Sequence, residues 1–117
     1  MKKIYHLETC KTCQKILKEL EPFDGIELRE IKSKGVTPSE LEEMRALTDN
    51  YEDLFSRRAM LFRQRGLNNQ ELGEDDYKDL ILEHYTFLKR PVVVVDDQIF
   101  IGNAKKQVEA AKTALHG

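Results

Sequence analysis

No apolar stretch in this 117-residue chain approaches the about 20 residues needed to cross a bilayer, so a membrane-spanning helix is excluded. Cysteine is scarce: there are two, too few for the disulfide framework that holds small secreted domains together. Neither sign of charge dominates, because 19 Lys and Arg face 21 Asp and Glu for a formal net charge of -2. The global basic field that drives nucleic-acid binding is therefore missing, and no direct nucleic-acid contact is expected. Internal repeats, low-complexity tracts and interdomain linkers are also absent, which leaves one domain. The beginning, Met1-Lys2-Lys3-Ile4-Tyr5-His6, is basic but carries neither a long apolar run nor a small-residue cleavage site. A cytoplasmic protein, monomeric and with no membrane partner, is expected.

What is present is a globular composition, 40% hydrophobic, with a clear change of period along the chain. Lys3 to Leu7 has the aromatic and β-branched content of a strand. Thr9 resembles a helix N-cap, and Ile16, Leu17 and Leu20 give the segment from Cys13 to Leu20 one apolar helical face. Pro22 and Gly25 end it, and Ile26 to Ile31 reads as a second strand. From Thr37-Pro38-Ser39-Glu40 onward the pattern is helical: a helix with Leu41, Met44, Ala46 and Leu47 inward, then helical segments over Tyr51 to Arg65 and Asp75 to Phe87. That block has no strand candidate. After Pro91 the run Val92-Val93-Val94-Val95 fits a buried strand, Asp96-Asp97-Gln98 a tight turn, and Ile99-Phe100-Ile101 its hairpin partner. A closing helix turns Val108, Ala111 and Leu115 to the core.

The order βαβ, helical block, ββα predicts an α/β protein of thioredoxin-like fold, with a mixed four-stranded sheet. Its core is expected over about 1–34 and 88–117, and an all-helical insertion over about 37–87.

Both cysteines fall at the first strand-to-helix turn, as Cys10-Lys11-Thr12-Cys13. A thiolate is the reacting form of cysteine, and the positive end of a helix dipole stabilises it. Lys11 and Lys15 add positive charge nearby. This placement suits Cys10 as attacking nucleophile, exposed at the helix mouth, and Cys13 as resolving thiol one turn inside. Two inert buried thiols are the plain alternative. A zinc site is the other, but it needs four ligands, and only His6, His84 and His116 could add to the pair. A redox pair with no bound metal or cofactor is the expectation. Lys89-Arg90-Pro91 precedes the valine run; resemblance to thioredoxin-like folds implies a cis X-Pro bond at Pro91 beside the cysteines, whereas the residues alone are met as well by a proline that starts an edge strand. In the first case Arg90 lies near the Cys10 sulfur, where its charge favours thiolate and binds an anion.

With these pieces the chain resembles the arsenate-reductase-like (ArsC) family, which also contains the Spx-type thiol-stress regulators. The resemblance is carried by Ile4-Tyr5-His6 ahead of Cys10, Cys10-Lys11-Thr12-Cys13-Gln14-Lys15, Phe55-Ser56-Arg57-Arg58, and Leu88-Lys89-Arg90-Pro91-Val92-Val93, and it spans nearly the whole chain. It implies a nucleophilic Cys10 under arginines that hold an oxyanion: Arg90, and Arg58 with Arg57 as its one-residue register alternative. His6 would point toward the cysteine loop and tune the thiolate. A small oxyanion or a thiol/disulfide substrate would follow, with glutathione or glutaredoxin as reductant. By the Spx side of the resemblance, a Cys10–Cys13 switch would govern binding to the RNA polymerase α-subunit. The chain departs from both branches: Ile101-Gly102-Asn103 stands where the reductases carry a third arginine, and Thr48-Asp49-Asn50-Tyr51-Glu52 lacks the glycine of the Spx turn.

Overall fold

The computed structural model describes all 117 residues, Met1–Gly117. The chain forms two compact units: Met1–Lys34 with Arg90–Gly117, and Gly35–Lys89. The first unit contains β1 (Lys2–His6), α1 (Lys11–Leu20), β2 (Glu27–Glu30), β3 (Val92–Val95), β4 (Gln98–Ile101) and α5 (Lys105–His116). The second contains α2 (Pro38–Ala46), α3 (Met60–Gln64) and α4 (Glu74–Glu83), with single 3-10 turns at Glu52–Leu54, Leu67–Asn69 and Tyr85–Phe87.

Strand order in the sheet is β2-β1-β3-β4. β1 and β2 run parallel, joined by the crossover through α1, and β3 runs antiparallel to both β1 and β4. Ile4 lies opposite Leu28 on one side and Val93 on the other. Alternation then sends Ile4, Val93 and Val95 toward Ile16 and Leu20 of α1 and Val108, Ala111 and Leu115 of α5. The intervening Tyr5, Val92 and Val94 are buried as well, which explains why β3 reads as an unbroken valine run. Asp96 takes a positive φ of 53° in the two-residue turn between β3 and β4, a conformation that aspartate tolerates. The turn is tied down where the Asp96 N–H donates to the Met1 carbonyl at 2.7 Å.

In the second unit α2 starts as its sequence dictates. The Glu40 N–H donates to Thr37 Oγ1 at 3.1 Å, and the Thr37 N–H donates to Glu40 Oε1 at 3.0 Å, with Pro38 in the first turn. The core of this unit is aromatic. The ring of Phe55 lies 4.8 Å from Tyr77, 5.5 Å from Phe87 and 5.9 Å from Phe62, centroid to centroid.

Several local expectations need correction. α1 begins at Lys11 and its N-cap is Cys10, not Thr9. Tyr51 to Arg65 is not one helix: the Asp53 N–H is captured by Asn50 Oδ1 at 2.8 Å, and Phe55 then turns extended to bridge Leu88. Ser56 donates to the Phe87 carbonyl at 2.7 Å and Lys89 to the Leu54 carbonyl at 2.8 Å, so pairing across the unit overrides helix propensity there. The later segment stops at Glu83, because His84 is extended and its Nδ1 accepts from the Thr86 N–H. Ala46 is exposed, and β4 takes in Gln98.

Phe55 has no solvent exposure. Phe55→Ala is expected to destabilise the protein by about 3–5 kcal/mol, through lost transfer energy and the cavity left behind. A urea midpoint equal to that of wild type would show that the aromatic cluster does not hold this unit together.

Candidate functional site

Cys10 sits where β1 hands the chain to α1. Its backbone is extended (φ -88°, ψ 116°), and the Gln14 N–H donates to its carbonyl at 3.0 Å to open the helix. No side-chain cap satisfies the free N–H groups of the first turn, so they are available to the Cys10 sulfur. The approach is a tight turn: the Cys10 N–H donates to the Leu7 carbonyl at 3.1 Å.

The two thiols differ sharply in environment. Cys10 is part-exposed; Cys13 is wholly buried, and both are free. Burial works against ionising Cys10. It is outweighed by hydrogen bonds from the Cys13 backbone, the Cys13 thiol and the Arg90 guanidinium, and by the charge of Arg90, so the Cys10 thiol ionises below its ordinary value. Burial pushes the Cys13 thiol up to about 11, and the adjacent Cys10 sulfur reinforces this against a hydrogen bond from the Leu7 backbone. The pair is thus split: the surroundings favour ionising Cys10, while its neighbour Cys13 keeps its proton and donates it.

Arg90 and Pro91 enter from the start of β3. The Arg90–Pro91 bond is cis, as is Glu21–Pro22, which sequence reasoning did not single out. Pro91 is buried, and its carbonyl accepts from the Gly102 N–H at 2.9 Å. The structure therefore brings Cys10, Cys13 and Arg90 together. It does not join His6 to them: His6 makes no hydrogen bond with the Cys10 sulfur, and its Nδ1 is buried without a partner. Burial lowers the His6 pKa, with Glu30 and Glu8 opposing, so the ring adds no fixed positive charge to the site.

Arg57 and Arg58 belong to the second unit. The Arg57 guanidinium is committed: it donates to Glu52 Oε2 at 2.6 Å and to the Tyr77 hydroxyl at 2.7 Å, and lies over the Tyr77 ring. Arg58 is exposed and has no ion pair. Arg65 pairs with Glu83 at 2.5 Å, so the arginines of this segment form a face of mixed charge. No group of three or more His, Cys, Asp or Glu is placed to hold a metal ion.

Sequence reasoning missed the side chains that fix the loop before Cys10. The Glu8 N–H donates to Glu30 Oε2 at 3.0 Å, and Gln14 Nε2 donates to the Glu8 carbonyl at 2.7 Å. Only the parallel pairing of β1 with β2, which sets Glu30 beside His6, could have signalled the first contact.

Replacing Arg90 with Ala removes both a donor and a charge from the Cys10 sulfur. Iodoacetamide labelling of Cys10 should then need higher pH than in wild type, with Cys13 reacting only under strongly alkaline conditions in both. Superimposed Cys10 profiles for the two proteins would remove Arg90 from the site.

The chain is similar to several known proteins. The chain is 29% identical over 108 residues to the global transcriptional regulator Spx 2 of Bacillus cereus, covering 90% of this chain and 82% of that protein. It is 30% identical over 114 residues to an arsenate reductase of Neisseria meningitidis serogroup B, covering 92% and 95%. Among solved structures, an arsenate reductase from Vibrio cholerae superposes with a TM-score of 0.72 at 23% identity, covering 94% of this chain and 96% of its own. An arsenate reductase-related protein from Brucella melitensis gives 0.68 at 24%, covering 93% and 92%. These two likenesses speak for the fold, which is thioredoxin-like. The sequence model of the ArsC family matches residues 5–111, and the chain belongs to the ArsC family.

Proposed function

We propose that the protein is a thiol-dependent oxidoreductase in which Cys10 is the nucleophile. The observation that carries this is the division of labour within the pair: a part-exposed Cys10 sulfur receiving hydrogen bonds from Cys13 and Arg90, beside a fully buried, protonated Cys13. A site that ionises one thiol and protects the other is arranged for attack followed by resolution.

With a disulfide substrate, the Cys10 thiolate attacks one sulfur, forms a mixed disulfide and expels the other sulfur as thiolate. Cys13 then loses its proton and attacks Cys10, expelling the bound half; alternatively, glutathione attacks from outside. In the first route the products are a reduced substrate and a Cys10–Cys13 disulfide, which two further thiols return to the starting state. With arsenate, the Cys10 sulfur displaces one oxygen as water. Glutathione then supplies the second thiol, so that arsenic gains two electrons while a Cys10–glutathione disulfide forms. Arg90 orients and neutralises the anionic substrate in either case. The arsenate reductase relative in Neisseria meningitidis, matched over 92% of this chain, supports the oxyanion route. Glutathione or glutaredoxin is the proposed reductant.

A second reading has its own support, since Spx-named regulators match 90% of the chain. In it the Cys10–Cys13 disulfide alters binding to a partner, the RNA polymerase α-subunit, and no substrate turns over.

The two are separated by NADPH oxidation coupled through glutaredoxin and glutathione reductase, with arsenate and with a glutathione mixed disulfide as substrates. Wild type is expected to turn over at least one of them, and Cys10→Ser to fall to background. Equal rates for the two proteins would reject the oxidoreductase. Capture of the polymerase α-subunit that ignores the oxidation state of the pair would reject the switch.

A further inference from the structure

The main chain of Glu8, two residues before the nucleophile, is gripped from both sides. Its N–H donates to Glu30 Oε2 at 3.0 Å, and its carbonyl accepts from Gln14 Nε2 at 2.7 Å. Glu30 comes from the end of β2, and Gln14 from the first turn of α1. Glu8 itself lies in neither element, and its side chain is exposed. The two grips therefore tie the turn that delivers Cys10 to the strand on one side and to the helix on the other.

Glu30 is itself fixed. Its Oε1 accepts from the Lys32 N–H at 2.8 Å, the Ser33 N–H at 2.9 Å and the Ser33 hydroxyl at 3.1 Å. Its carboxylate thus joins the turn before Cys10 to the turn after β2, using both oxygens. Burial alone would raise its pKa, but the hydrogen bonds from Glu8, Ser33 and Lys32 hold it at about 2. The carboxylate is ionised throughout the physiological range. Because the folded pKa is depressed, the stabilisation it lends is complete above the ordinary carboxylate pKa and is lost as pH falls through about 2.

We propose that Glu30 and Gln14 are positioning residues for Cys10: together they clamp the main chain of Glu8 and so hold the nucleophilic sulfur over the opening turn of α1. The proposal rests on the assignment of Cys10 as the reactive thiolate. The sulfur gains from the Cys13 N–H only while the extended Cys10 backbone is kept in place, and hydrogen bonds of this kind weaken steeply with misalignment. Loosening the Glu8 main chain lets the sulfur leave those donors for part of the time, and the thiolate is then less favoured.

The sign of the effect separates positioning from simple electrostatics. Glu30 is an anion, so removing its charge alone would favour the Cys10 thiolate and move its titration to lower pH. Loss of the clamp moves it to higher pH. Gln14 is neutral, and its removal changes no charge at all.

The test measures iodoacetamide alkylation of Cys10 against pH in wild type, Glu30→Gln and Gln14→Ala. Tryptic cleavage after Lys11 puts Cys10 and Cys13 in separate peptides, so each thiol is read by mass spectrometry. Circular dichroism checks the fold, and the exposed helical position of Gln14 keeps that variant informative if Glu30→Gln does not fold. Both variants are expected to shift the Cys10 profile to higher pH and to slow its alkylation at neutral pH by about threefold or more. Folded variants whose profiles coincide with wild type would overturn the clamp while leaving Cys10 as the nucleophile. A shift of Glu30→Gln to lower pH, with Gln14→Ala unchanged, would also overturn it. A wild-type Cys10 that titrates as an ordinary thiol would instead remove the functional assignment beneath it.

Discussion

The structure turns on one thiol, that of Cys10, whose surroundings favour its ionised form. An ionised thiol is costly away from water, and here burial does oppose it. The opposition is met by donors from three sources: the backbone of Cys13, the thiol of Cys13 and the guanidinium of Arg90. Two of these depend on α1 and the third on β3. The backbone donor exists because α1 starts at Lys11, and the thiol because Cys13 falls one turn into the helix. The guanidinium is there because the chain returns at Arg90 to lay β3 against β1. Remove any one and the remaining two face the same desolvation cost.

This explains why the first unit is built as it is. β3 carries four buried valines and pairs with both β1 and β4, which fixes the line along which Arg90 and Pro91 enter. On the β1 side, Ile4 is locked between β2 and β3, and the strand ends four residues before Cys10. The short segment between is then set by polar contacts, because it has no sheet or helix of its own to restrain it. Glu30 and Gln14 supply them.

Much of this was legible in the sequence, for physical reasons that differ from place to place. Periodicity exposed the strands and the end helices, since Ile16 and Leu20, or Val108, Ala111 and Leu115, can be buried together only on a helical face. The Cys10–Cys13 spacing marked a thiol pair at a strand-to-helix turn, and the structure has the pair there, with Cys10 as the N-cap of α1. Sequence failed where tertiary pairing decides local structure. Phe55 reads as part of a helix, yet it is extended because Leu88 pairs with it and three aromatic rings surround it. Adjacent Arg57 and Arg58 cannot be told apart in sequence, and only the contacts of Arg57 with Glu52 and Tyr77 show which guanidinium is already engaged. The role of Glu30 is similarly hidden, since its partners lie 22, 2 and 3 residues away and are mostly backbone groups.

The unequal ionisation of the two thiols is most directly tested by following the ultraviolet absorbance of thiolate through a pH titration of the reduced protein. Two separate steps are predicted: one below the ordinary thiol range that vanishes in Cys10→Ser, and one near 11 that belongs to Cys13. A single step at the ordinary thiol value, shared by both cysteines, would contradict the account.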